Sequence, residues 1–167
     1  GHAAALVLVT LATTGCLFEP RAAEAPTTEN PIEYLPRTEP RNVWENCRLA
    51  LENTDGTGWD NAVHESFLYE PDSQTLSQYP SAFANPWTKV QEMDFITDWF
   101  ANQPQIQAVL LDEEISTPDG SGGRAEWDII YFLNVTDRQT GSTTRYRARA
   151  TLVFELKGSY WYLTYWR

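Results

Sequence analysis

The stretch that decides the fold is WDIIYFLNVTDRQTGSTTRYRARATLVFELKGSYWYLTYWR, Trp127 to Arg167. Its pattern has a period of two, as half-buried strands do. With a turn at Asp137 to Gly141, paired residue numbers sum to 279. Trp127 then faces Leu152, Ile129 faces Ala150, Tyr131 faces Ala148 and Leu133 faces Tyr146, so every pair on that face is apolar or aromatic. A second hairpin, with Gly158-Ser159 as a favoured two-residue tip, gives a sum of 317. Leu156 then faces Trp161, Phe154 faces Leu163 and Leu152 faces Tyr165. Both registers turn the same face of the middle strand, Tyr146 to Leu156, toward the core. A slip of one residue would turn the whole set to solvent. Ile106 to Ile115 adds a fourth strand through the Pro118-Asp119-Gly120-Ser121-Gly122-Gly123 turn.

The other face of this sheet is mixed: Asp128, Ile130, Phe132, Arg145, Arg147, Arg149, Val153, Tyr162, Thr164 and Trp166. It reads either as a homodimer contact or as a solvated face where Arg stems cover aromatics. Residues 138–167 hold six basic side chains and one acid, Glu155, so the remainder is strongly acidic.

Upstream the period becomes helical. Val43, Cys47, Ala50 and Leu51 share one face of a helix over Arg41 to Asn53, with Trp44 beside them and Thr38 as its expected cap. Cys47 on that face reads as a core residue. A short helix from Gly58 to about Glu65 and a short strand Phe67-Leu68-Tyr69 follow. Ser73 to Ala84 reads as irregular. Asn85-Pro86 is expected to start a third helix that ends near Asn102, before Pro104. Its stripe is Val90, Met93, Thr97 and Phe100, widened by Ile96 and Trp99.

Ala3 to Ala12 is the only continuous apolar run, too short to span a bilayer. It is followed by Thr13-Thr14-Gly15-Cys16, which resembles the lipobox of bacterial lipoproteins. The pattern's usual Leu is Thr13 here, and its usual basic start is missing. The resemblance implies a signal peptide over 1–15, a lipidated Cys16 and anchoring at the bacterial cell envelope, on its periplasmic or extracellular face. Residues 16–40 carry five of the ten prolines and read as a stiff linker. The globular domain is expected over 41–167.

Composition narrows the function. A net charge of −11 argues against a nucleic-acid-phosphate binder. Seven Trp, eight Tyr and seven Phe argue for a packed core and against disorder. Two cysteines make no disulfide scaffold. No Cys/His cluster, phosphate loop or nucleophile elbow is present, so neither a metal nor a cofactor is expected.

The order helix, short helix, short strand, helix, then antiparallel meander resembles the nuclear transport factor 2-like domains, which include SnoaL-like cyclases, ketosteroid isomerases and scytalone dehydratase. Val43-Trp44-Glu45-Asn46-Cys47-Arg48-Leu49-Ala50, the step Asp55 to Trp59, the strand Glu65-Ser66-Phe67-Leu68-Tyr69 and the two closing strands carry the resemblance. It covers residues 41 to 167 and implies an α+β cone: three helices on a curved antiparallel sheet, enclosing a pocket. Tyr131, Tyr146, Ala148, Ala150 and Tyr165 face that pocket in the registers above. The two alanines leave room for a small apolar or aromatic ligand unless Trp44, Trp59 or Trp99 fills it. Asp94 and Asp98, four apart on one helix face, and His64 are the acid–base candidates if the domain is an isomerase, dehydratase or cyclase. No catalytic set stands out, so the first expectation is a non-catalytic domain binding a small ligand or a protein.

Overall fold

The computed structural model describes residues 31–102, 105–115 and 121–167, with side chains described at all of these except 107–115 and 121. Cys16 and the linker before residue 31 lie outside the described residues. The compact unit begins at Ile32, ahead of the expected boundary at 41. The Asn46 amide explains why. It pairs with both backbone groups of Leu35 at 2.8 Å, and the Arg37 carbonyl accepts the Trp161 N–H at 2.8 Å. The extended segment before the first helix is therefore tied to the body by hydrogen bonds.

Helix α1 spans Pro40–Glu52, with Val43, Trp44, Cys47, Ala50 and Leu51 buried as their spacing requires. Its cap is Glu39, not Thr38, and Glu39 makes no side-chain bond. Pro40 takes the first helical position, where its fixed φ already suits the helix. Helix α2 is Gly56–Ala62, two residues earlier than expected, because Asp55 caps it through Thr57 N. Strand β1 starts at once and covers Val63–Tyr69. The stretch expected to be irregular contains helix α3, Ser73–Gln78, capped by Asp72.

Helix α4 is Lys89–Ala101. Asn85-Pro86 does not open it. Trp87-Thr88 instead form a two-residue strand, β2, paired with β1, and Thr88 with Gln91 makes a capping box. The buried stripe also differs from the expected one. Ile96 and Phe100 are buried, Met93 and Trp99 are half-buried, and Thr97 and Val90 are exposed.

The sheet is six-stranded, in the order β2-β1-β6-β5-β4-β3, where β3 is Gln105–Ile115, β4 Arg124–Thr136, β5 Thr143–Lys157 and β6 Tyr160–Trp166. Only β1 and β6 run parallel. The β4–β5 ladder keeps the sum of 279 over its whole length, from Arg124↔Glu155 to Thr136↔Thr143. The β5–β6 tip is Gly158-Ser159, with Gly158 at φ 64°, a conformation other residues adopt at a cost.

Further along β6 the register changes. Leu156↔Trp161 and Phe154↔Leu163 hold the sum of 317, but then Val153 pairs with Tyr165 and Leu152 with Trp166. Thr164 is the extra residue of a β-bulge. It is buried, and its Oγ1 donates to the Val153 carbonyl at 3.2 Å. The expected Leu152–Tyr165 pair is therefore replaced. Tyr165 lies on the outer face beside Leu68 and Val153, where its hydroxyl donates to Glu70. Trp166, expected outside, turns in against Trp44, Trp59 and Tyr131, at ring distances of 5.9, 6.4 and 5.6 Å. On the outer face, the Arg145 guanidinium lies 4.2 Å over the Phe132 ring, and Thr151 donates to Asp128 at 2.6 Å.

One close approach gives a test of this packing. The Tyr34 hydroxyl donates to Asp55 Oδ2 at 2.7 Å, and Asp55 Oδ1 takes the Thr57 N–H at 3.0 Å. A Cβ on Gly58 would lie 1.9 Å from the Tyr34 hydroxyl. Gly58→Ala must displace that ring and is expected to cost about 1–3 kcal/mol in urea denaturation, despite alanine's better helix propensity. Tyr34→Phe, which removes only the hydrogen bond, should cost about 1 kcal/mol.

Candidate functional site

Between the helices and the sheet lies a hollow of about 260 Å³. Its walls come from almost every element: Leu51 of α1, Trp59 of α2, Phe67 and Tyr69 of β1, Trp87 of β2, and Glu92, Phe95, Ile96 and Trp99 of α4. Phe83 of the α3–β2 loop, Tyr131 and Leu133 of β4, and Trp166 of β6 complete it. The rings form two connected sets. On one side Phe83, Trp87, Phe95 and Trp99 follow one another at 5.2, 6.2 and 5.7 Å. On the other, Trp166 links Trp59 to Tyr131. Phe95, 49% exposed, stands at the mouth.

Among the described residues one acid lines this apolar space. Glu92 lies in the first turn of α4, and Trp87 Nε1 donates to its Oε2 at 2.9 Å. Burial holds its carboxyl above the ordinary value, while the Trp87 and Trp59 indoles pull the other way. Trp59 Nε1 is buried and finds no acceptor within ordinary hydrogen-bond limits, so its influence on Glu92 is a weak one. Two phenols also line the hollow. Burial, with Tyr69 nearby, pushes Tyr131 up to about 12. Burial, with Asp72 and Glu92 nearby, also raises Tyr69. Both hydroxyls are thus donors at neutral pH. Cys47 is fully buried in α1 and its thiol is pushed up by burial and by the Glu92 charge, so it is a core residue rather than a nucleophile.

The expected site residues are scattered. Tyr131 lines the hollow. Ala150 is buried in the core and Ala148 half-buried, and neither lines the hollow. Tyr146 is 54% exposed, at the far end of the hairpin beside Trp99 and Asn102. Tyr165 is on the outer face because of the bulge. Asp94 and Asp98 are exposed on the solvent side of α4. His64 stands on β1, where its Nδ1 takes the Ser66 N–H at 3.1 Å and its ring meets Tyr162 edge-on at 5.1 Å. None of these three reaches the hollow. Glu92 does, and its signal was in the spacing: it shares a helix face with Ile96 and Trp99, whereas Asp94 and Asp98 lie across from it. Among the described residues no group of three His, Cys, Asp or Glu side chains could hold a metal ion.

No protein-family model matches the sequence, and no curated protein does. The fold has similar solved structures. The association domain of C. elegans CaMKII is 13% identical, with 75% of this chain and 85% of that one covered and a TM-score of 0.52. A hexachlorocyclohexane dehydrochlorinase is 5% identical over 75% of this chain and 78% of its own, with a TM-score of 0.57. A protein with a cystatin-like fold from Caulobacter vibrioides is 11% identical over 75% and 82%, with a TM-score of 0.55. At such identity the likeness is one of fold, and the fold is the α+β cone of the nuclear transport factor 2-like class.

Glu92 couples the hollow to stability. Its raised native value means the folded chain binds its proton more tightly than the unfolded chain. Folding stability contributed by this group is therefore present at acid pH and declines as pH rises from its ordinary value of 4.5 through the raised one. Glu92→Gln is expected to flatten that decline and to gain stability at neutral pH relative to acid pH. Urea denaturation of both proteins on the two sides of this window measures it.

Proposed function

We propose that this chain is a small-ligand-binding protein of the bacterial envelope, tethered through Cys16, that takes an apolar or aromatic molecule into the hollow of its cone. The observation that supports the reading is the hollow itself: an aromatic-walled space with one half-buried acid, two hydroxyls and an exposed Phe95 at its edge. Such sites bind by apolar burial and orient by a few polar groups. At interior packing density the volume suits a ligand of roughly ten non-hydrogen atoms.

The site predicts saturable binding of fluorobenzene, followed by its ¹⁹F line, with a Kd on the order of a millimolar. Leu133→Trp, which places a ring in the hollow, should weaken it roughly tenfold while the fold is retained. Binding that is absent, or indifferent to Leu133→Trp, would remove the reading.

The tether is tested separately. Labelled palmitate is expected to enter the full precursor in a bacterial host and not its Cys16→Ser variant. Equal labelling of the two would defeat the anchoring.

A second reading keeps the same hollow and makes Glu92 an acid–base group, in place of Asp94, Asp98 or His64. Its support is a carboxyl that burial holds above its ordinary value inside an apolar site. The dehydrochlorinase shows that this fold can carry an enzyme, and the association domain that it can carry assembly. Recovery of bound ligand chemically changed, in wild type but not in Glu92→Gln, would favour the enzyme.

A further inference from the structure

The hollow has a bias of charge as well as of shape. Aromatic faces carry negative charge density and attract cations. Trp87, Phe95 and Trp99 run along one side, and Trp59 and Trp166 stand on the other. Among the described residues Glu92 is the one carboxylate lining the space, and no Lys, Arg or His lines it. Among the described residues no ion pair involves Glu92. Its ionised form is costly in such surroundings without a counter-charge. After the bond from Trp87 it still has acceptor capacity for a ligand.

The approach carries the same sign. Exposed Asp94 and Asp98 flank Phe95 on α4. The one cation of that helix, Lys89, is held by Asp60 Oδ1 at 2.8 Å and by the Asp60 and Val63 carbonyls at 2.9 Å. The whole chain has a net charge of −11, which raises the local concentration of cations.

Building on the ligand-binding reading, we infer that the hollow selects an organic cation, a small alkyl- or arylammonium whose head meets Glu92 and whose carbon groups lie on the tryptophan faces. The two carboxylates at the rim guide it in, and ring faces with one acid hold it. A neutral molecule of the same shape gains the apolar burial and none of the charge.

The test compares choline with 3,3-dimethylbutan-1-ol, its isostere with carbon in place of the charged nitrogen, by calorimetric titration of the full chain at neutral pH. Choline is expected to bind about tenfold tighter than the alcohol. Glu92→Gln should remove most of that advantage, bringing the ratio of choline to alcohol affinity close to one. Alcohol binding as tight as choline would overturn the cation inference and leave the small-ligand reading standing. Binding of neither would overturn both. A choline preference undiminished in Glu92→Gln would overturn the part assigned to the acid.

Acidification of the wild type gives a second measure that needs no variant. Choline affinity is expected to fall as pH drops through the Glu92 range, and alcohol affinity is not. Among the described residues the titratable groups that feel the Glu92 charge are Cys47 of α1 and Tyr69 of β1, and Tyr131 of β4 lines the same hollow; all three are pushed up and protonated throughout. Asp72 near Tyr69, and Asp94 and Asp98 at the rim, lie outside the hollow. Choline binding that ignores pH in this window would also overturn the inference.

Discussion

Thr164 holds the position on which the site depends. It is one residue more than the β5–β6 ladder can pair, and it is kept in the structure by burial and by its hydroxyl bond to the Val153 carbonyl. Side chains on a strand alternate, so inserting one residue exchanges inside and outside for everything that follows. Trp166 thereby enters the space between helices and sheet, and Tyr165 leaves it. Without the bulge, the indole that joins Trp44, Trp59 and Tyr131 into one wall would lie on the outer face. The hollow would lose its sheet-side tryptophan and gain a phenol there instead.

The second determinant is where α4 starts. Capping by Thr88 and Gln91, after the short β2 strand, fixes the rotation of the helix about its axis. That rotation sends Ile96 and Phe100 into the core and Glu92 into the hollow, and leaves Val90, Asp94 and Asp98 in solvent. An acid in that place is tolerable because the Trp87 indole N–H donates to it. The aromatic wall and the acid are thus linked: Trp87 lines the space and also donates to the carboxylate within it.

Much of this was legible from residue order. The β4–β5 register follows from pairing like with like over more than ten residues, and the structure keeps every one of those pairs. The α1 face was equally clear, since Val43, Cys47, Ala50 and Leu51 admit one orientation. The start of α4 was not clear. Asn85-Pro86 is a good local cap, but Trp87 gains more from pairing with β1 and from packing on Tyr69 and Phe83 than a helical turn there would give. That competition between a local signal and a long-range contact cannot be weighed from neighbours in sequence. The acid–base candidates failed for a different reason: Asp94 and Asp98 lie on the face of α4 opposite Glu92, Ile96 and Trp99, and that face meets solvent.

The sequence by itself determined the class of fold, the two hairpins with their tips, the inner face of the middle strands and the core of α1. These follow from periodicity, which is a local property repeated often enough to be unambiguous. Only the tertiary structure decided that Tyr165 and Trp166 exchange places, and that Tyr146 is left exposed at the far end of the hairpin. The exchange turns on a single residue of offset. Such an offset changes the direction of a side chain while hardly altering the pattern, and it is settled by packing among elements far apart in the chain.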